Sequence, residues 1–165
     1  MNRVQQVRFA ALTLGFAMTC VSAADLPKEG KYDHQTCYVG PHYVIAHSKD
    51  HMAGSYAVTG GSLAPAGDPF YAVSGVCYGA WTLLRGEYSE SGACEFVDAA
   101  GDKFMGVYSR RNQDPGNWQM AGGTGKFSGI SGSGNFTPGN ALPQPAGQVV
   151  ACNREIGNWQ LSSQQ

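Results

Sequence analysis

The sequence predicts an all-β protein, a single closed antiparallel β-barrel of about eight strands stapled by disulfides. Three observations lead there. After residue 23 no segment carries a sustained apolar repeat at helical spacing, and short runs rich in Tyr, Val, Phe, Thr and Trp alternate with Gly, Pro, Asn and Asp, the pattern of a sandwich or barrel. Glycine is abundant, 23 of 165 residues, which suits backbone that turns, bulges or approaches another strand closely. Four cysteines lie beyond residue 23, Cys37, Cys77, Cys94 and Cys152, and closing a barrel offers each a partner.

Residues 1–23 read as a leader rather than as part of the fold. Arg3 and Arg8 make a basic start, residues 9–20 are apolar, and Val21-Ser22-Ala23 offers small residues for cleavage after Ala23; this is the pattern of a secretory signal peptide. The apolar run is short for a bilayer span, no comparable run follows, and a membrane span is not expected. Ala17-Met18-Thr19 before Cys20 is a poor lipid-attachment signal. Residues 24–165 are one ordinary domain's worth of chain. Without the leader, nine Lys and Arg face twelve Asp and Glu, a net charge of −3. A mildly acidic chain with no basic run carries no electrostatic footprint for nucleic acid. Arg110-Arg111 is the one basic pair beyond the leader and reads as a solvated strand end. The expected location is secreted or periplasmic, where an even cysteine count reads as disulfides. No C-x-x-C pair suggests zinc.

Taken in order, residues 25–30 form an entry segment, and 32–39 and 42–47 read as strands broken at Gly40-Pro41. Residues 55–59 and 70–73 are short strand candidates on either side of a loop. The clearest hairpin joins residues 75–84 to 87–97 through Arg85-Gly86. An unbroken register from that turn sets Leu83 opposite Tyr88, Trp81 opposite Glu90, Gly79 opposite Gly92 and Cys77 opposite Cys94. The cysteines then fall at a non-hydrogen-bonded pair, with Cα atoms about 4.5 Å apart, which a disulfide permits. Residues 98–102 turn the chain into a strand over 103–109. Asp114-Pro115-Gly116 turns it again, and residues 118–121 lead into the glycine-rich stretch 122–136. A loop with three prolines covers 138–147, and 148–153 is the last firm strand; 159–161 is a further short strand candidate before a polar tail. A closed barrel sets its last strand beside its first, which brings Cys37 to Cys152 and leaves Cys77 for Cys94.

The stretch 122–136, GGTGKFSGISGSGNF, contains six glycines. It fails as a phosphate loop: the Walker pattern needs glycine where Met120 stands and Ser or Thr where Phe127 stands, and the dinucleotide fingerprint needs glycine where Ser128 stands. No helix-forming segment follows to supply a dipole. As structure it reads better. Phe127 and Ile130 are three apart and would point to opposite faces of an ideal strand, so one extra residue at Gly129 would return both, with Phe136, to one face.

GGTGKF followed by SGISGSG, together with residues 94–103, CEFVDAAGDK, resembles the allene oxide cyclase and dirigent-protein barrel superfamily. It is most similar to small exported bacterial proteins related to that barrel. The resemblance is best over residues 75–136. It implies a lipocalin-sized barrel of eight strands with an apolar interior. Plant members cyclise an unsaturated fatty-acid epoxide or guide phenoxy-radical coupling, and no catalytic motif of theirs is matched here residue by residue.

Glu90 is the most interesting acid, since the hairpin register puts it on the apolar face of Trp81, Cys77, Cys94, Phe96 and Leu83. A carboxylate there could act as acid, base or ligand anchor, against the plainer alternative of a register error that leaves it in solvent. All four histidines, His34, His42, His47 and His51, lie within eighteen residues; scattered polar positions on early strands explain them more simply than a metal site, which needs three or four converging ligands. Residues 98–102 lack the spacing of a calcium loop and read as a hairpin turn. Asn135-Phe136-Thr137 fits a glycosylation acceptor, and no nucleophile elbow accompanies the Ser, His and Asp present. No cofactor is implied. Tyr78, Trp81, Phe96, Phe104, Phe127 and Phe136 are the groups available to line or fill a pocket. The leading expectation is an exported barrel that binds a small apolar ligand or partner without catalysis. The alternatives are a cofactor-independent isomerase or cyclase for a lipid-like or polyketide-like substrate, and a solid barrel that acts as a structural or interaction protein, with homo-oligomers formed through one exposed face.

Overall fold

The computed structural model describes residues 26–139 and 143–162; the expected leader over residues 1–23 lies outside the described residues. Eight antiparallel strands form one closed barrel: β1 (Glu29–Ser48), β2 (His51–Ser62), β3 (Ser74–Leu84), β4 (Glu87–Val97), β5 (Lys103–Arg111), β6 (Gly116–Gly123), β7 (Ile130–Pro138) and β8 (Gln148–Leu161). Each strand pairs with the next, and β8 closes on β1 from Glu29↔Gln160 to Pro41↔Gln148. A line of paired residues that starts at His42 on β1 crosses all eight strands through Tyr56, Gly79, Gly92, Tyr108, Trp118, Gly134 and Gly157. It returns to β1 at Tyr32, ten residues from its start. A stagger of that size tilts the strands across the barrel axis, and stagger, tilt and bore are linked.

The β3–β4 hairpin has the expected register throughout, from Leu84↔Glu87 to Ser74↔Val97. Arg85 and Gly86 both have positive φ, 56° and 84°, the combination that a tight two-residue turn needs to match strand twist. Both expected disulfides are present. Cys77–Cys94 is the cross-strand pair of this hairpin, and Cys37–Cys152 ties β1 to β8, each with Cα atoms 4.0 Å apart.

Several elements differ from expectation. β1 is one strand and does not break at Gly40-Pro41: the ladder to β2 skips these two residues, where proline has no N–H to give, and resumes at His42 in unchanged register. Gly40 lies against the Ala57 carbonyl, where a Cβ would clash, so the glycine permits close approach rather than a turn. Residues 70–73 are not a strand. They belong to the β2–β3 loop, which folds back so that Phe70 and Val73 are buried at 1% and 2% exposure. The expected bulge at Gly129 is absent; β6 bulges earlier, at Ala121-Gly122, where two residues oppose Met105 alone and Gly122 takes φ 112°. Phe127 and Ile130 still reach one interior because a 3₁₀ turn at Gly125–Phe127 re-aims the chain. That turn docks on the β4–β5 turn: Lys126 N–H donates to Asp102 Oδ2 at 3.0 Å, and Lys126 Nζ pairs with Asp98 Oδ2 at 2.8 Å. Burial opposes charge at Asp98, but Lys126 and the backbone N–H groups of Asp102 and Ala100 outweigh it and hold the carboxyl below its usual range.

One end of the barrel is therefore closed by rings. Phe70 sits among Tyr32, Phe104, Phe127 and Trp159, with ring centroids 4.7–5.7 Å away, and Phe96 stacks on Phe104. Among the described residues there is no helix long and apolar enough to cross a membrane.

Candidate functional site: a cavity with two carboxyl clusters

Above that plug the barrel is hollow, with a cavity of about 400 Å³. Trp81, Glu90, Phe96, Phe104 and Phe136 line it. Phe127 does not; it is buried in the plug at 1% exposure. Tyr78 requires correction, since it projects from the outer face of β3 and is 65% exposed. Strand alternation explains this, because Cys77 and Gly79 point in on either side of it.

Glu90 is the acceptor at the centre of one cluster. Tyr56 O–H donates to its Oε1 at 2.5 Å and Tyr88 O–H to its Oε2 at 3.0 Å, while Arg110 Nε stands 3.5 Å from Oε2. Tyr56 and Tyr108 hydroxyls meet at 2.6 Å. Tyr56 has one proton and spends it on Glu90, so Tyr108 is the donor of that pair. The meeting is possible because Gly79 and Gly92 stand between the two tyrosines on the same cross-barrel line. A Cβ at either glycine would strike a hydroxyl. Burial first, then the hydrogen bond to Glu90 and its charge, raise the Tyr56 phenol far above its usual range; burial likewise leads in pushing Tyr88 and Tyr108 up to about 12. The phenols therefore remain protonated donors and do not serve as bases. Arg110 also lies over the Tyr88 ring, 4.8 Å from its centroid. The expectation for Arg110-Arg111 is half corrected: Arg111 is exposed, but Arg110 lines the cavity as the partner of Glu90.

The second cluster surrounds Glu155, which sequence reading missed. Thr36 Oγ1–H donates to Oε2 and Tyr38 O–H to Oε1, both at 3.1 Å, and the Tyr32 hydroxyl lies near the same carboxyl. Protein encloses this carboxyl on most sides while the cavity keeps one side open. Burial raises its pKa, and the surrounding hydroxyls and the nearby His34 only partly oppose that. The signal that could have found it is β8 itself. Alternation back from Trp159 through Gly157 puts Glu155 and Asn153 on the inner face, but Arg154-Glu155 resembles the start of a polar tail.

The histidines do not converge. His42 Nε2 accepts from Trp81 Nε1–H at 2.9 Å inside the barrel, His34 Nε2 contacts Asp68 Oδ2 at 3.1 Å below the cavity, and His47 and His51 are exposed near the β1–β2 turn. Among the described residues no three His, Cys, Asp or Glu side chains are grouped to hold a metal ion.

The Glu155 shift has a measurable consequence. The folded chain keeps a proton that the unfolded chain releases, so stability from this group is full below the unfolded carboxyl pKa and is lost as pH rises through the raised folded one. The expected result is that Glu155→Gln melts close to wild type near about pH 4 and increasingly above it toward neutrality. Thermal melts of both proteins across that interval check this, and parallel curves would refute it.

No family model matches the chain, and a search of curated proteins finds no match. Among solved structures, the chain of the pterocarpan synthase dirigent protein GePTS1 aligns with a TM-score of 0.49 at 13% identity, covering 86% of this chain and 91% of that one.

Proposed function

We propose that this protein is an exported barrel that binds a small, largely apolar molecule in its interior. The observation that carries this reading is the cavity itself. Its volume of about 400 Å³ falls within the range of small-molecule sites. Its lower wall is apolar, made by Val58, Phe96, Phe104, Met120 and the Cys77–Cys94 disulfide, and Glu90 and Glu155 are its two carboxyls. A packed interior would have favoured a structural barrel instead. Export rests on the leader pattern, and the two disulfides are compatible with an oxidising compartment.

A second reading, an isomerase or cyclase that confines a reactive lipid-like or polyketide-like substrate, is favoured by one observation. Glu155 is a carboxyl beside the cavity with its proton held more tightly than usual, which suits a general acid. Binding without chemistry needs less of the site and is the main reading.

The test uses N-phenylnaphthylamine, an uncharged apolar dye that brightens out of water. The expected result is saturable fluorescence enhancement with wild type and its loss in Val149→Trp, which places an indole at a cavity-lining position, with the far-UV spectrum unchanged. Equal enhancement from both proteins, or none from wild type, would overturn the reading. Native mass spectrometry of the protein from its own host then looks for a retained ligand.

A further inference from the structure

The charges that face the cavity do not balance. Among the described residues that line it, the carboxyls are Glu90 and Glu155, and the only guanidinium or ammonium group is Arg110. Arg110 is committed to Glu90. His42 uses Nε2 as an acceptor for Trp81, so that nitrogen carries no proton to offer an anion. His34 lies opposite Glu155 in the β1–β8 ladder and acts on its charge, but its Nε2 is directed at Asp68 and makes no contact with Glu155. Arg154, the next residue to Glu155, is on the outer face, bound to Asp33 through Nε and Nη2 at 3.1 and 3.2 Å. Glu155 thus has hydroxyl partners and, among the described residues, no cation in contact with it.

A buried carboxylate without a countercharge is costly. Glu155 is built as an acceptor all the same: Thr36 and Tyr38 donate hydroxyl groups to it, both at 3.1 Å, filling two of the roughly four acceptor positions a carboxylate offers. The wall around it is aromatic. Tyr38, Trp118 and Phe136 line the same cavity, and ring faces attract cations, most strongly where water is excluded.

We infer that the cavity is built for an apolar amine, a molecule with a hydrophobic body and one protonated nitrogen that completes the shell of Glu155. This rests on the interior-binding reading proposed above and narrows it to one ligand class. The ammonium group supplies the charge the cavity lacks and an N–H for an acceptor position that the hydroxyls leave open. The apolar body occupies the space above the Phe96 and Phe104 rings. An alcohol of the same shape can fill that space but brings no charge. A carboxylic acid brings the wrong one.

The test is competition against N-phenylnaphthylamine by naphthylethylamine, naphthylethanol and naphthylacetic acid, near neutral pH. The expected order is amine, alcohol, acid, with the amine about tenfold or more tighter than the alcohol, equivalent to about 1.4 kcal/mol. Glu155→Gln should erase the difference between amine and alcohol while retaining the dye, and Glu90→Gln should leave the difference in place. Equal binding of amine and alcohol to wild type, with the dye still bound, overturns this inference and leaves the interior-binding reading standing. So does a preference that survives Glu155→Gln, or one that disappears only in Glu90→Gln. If neither the dye nor any of the three compounds binds wild type, both readings fall together.

Discussion

Phe70→Ala should lower the stability of the barrel by about 3–5 kcal/mol, the range for removing a buried phenylalanine ring where neighbours cannot collapse. Collapse is hindered here because Phe70 is the hub of the plug. Its ring contacts Tyr32, Phe104, Phe127 and Trp159, which come from β1, β5, the 3₁₀ turn and β8, and each is held by its own strand or turn. The loop that carries Phe70 is also anchored by Val73, buried at 2% exposure, and by Leu63 N–H, which donates to the Gln35 carbonyl at 2.8 Å. Asp68 caps it, with Oδ1 accepting from Phe70 N–H at 2.8 Å and Oδ2 meeting His34. The loss therefore falls on both the plug and the floor of the cavity. Urea denaturation should give the stability change, and N-phenylnaphthylamine binding should weaken in parallel. A loss under about 1 kcal/mol, the scale of a single tolerated core swap, would mean that the loop packs without its ring.

Removing the Cys37–Cys152 disulfide as the double alanine variant should cost about 4–5 kcal/mol by loop-closure entropy, since the bridge spans 115 residues. The Cys77–Cys94 bridge spans 17, and its loss should cost about 3 kcal/mol on the same basis. The order can be checked by denaturant titration of the two double variants. A reversed order would show that the buried inner disulfide contributes through packing more than through the unfolded chain. That contest is open on physical grounds: Cys77 and Cys94 are 3% and 7% exposed, while Cys37 and Cys152 are only partly buried.

What could be read from the sequence was local and periodic. The β3–β4 hairpin is specified by its two-residue turn and by paired cysteines equidistant from it, so its register, and the inward placement of Trp81 and Glu90, followed from counting. Closure followed from the cysteines left over. The plug did not follow, because Phe70 lies in a loop whose inward course depends on a space that exists only once the barrel has formed. Gly40-Pro41 looked like a break because proline usually ends pairing; here the neighbouring ladders carry the strand across. Glu155 and Arg110 share a different cause. Each stands beside a second charged residue that points outward, Arg154 and Arg111, and a pair of charges in sequence conceals the alternation that sends one of them inside. The inward position of Glu90 followed from the hairpin register, but its partners Tyr56 and Arg110 sit on strands beyond its own hairpin, β2 and β5, and become its neighbours only in the assembled barrel.

The line of paired residues around the barrel has a further consequence. Two ring-bearing strands alternate with two glycines along it: Gly79 and Gly92, then Tyr108 and Trp118, then Gly134 and Gly157. The glycines are recesses in the wall. Tyr56 and Tyr108 lie in the first, and Trp118 lies over the second. The bore of the barrel is thus governed from behind its lining: a methyl group added in a recess would lift a ring toward the axis and narrow the lumen, although the altered residue would never touch the occupant. Calibre and chemistry are separately adjustable in such a tube, the first by what stands behind the rings and the second by Glu90 and Glu155.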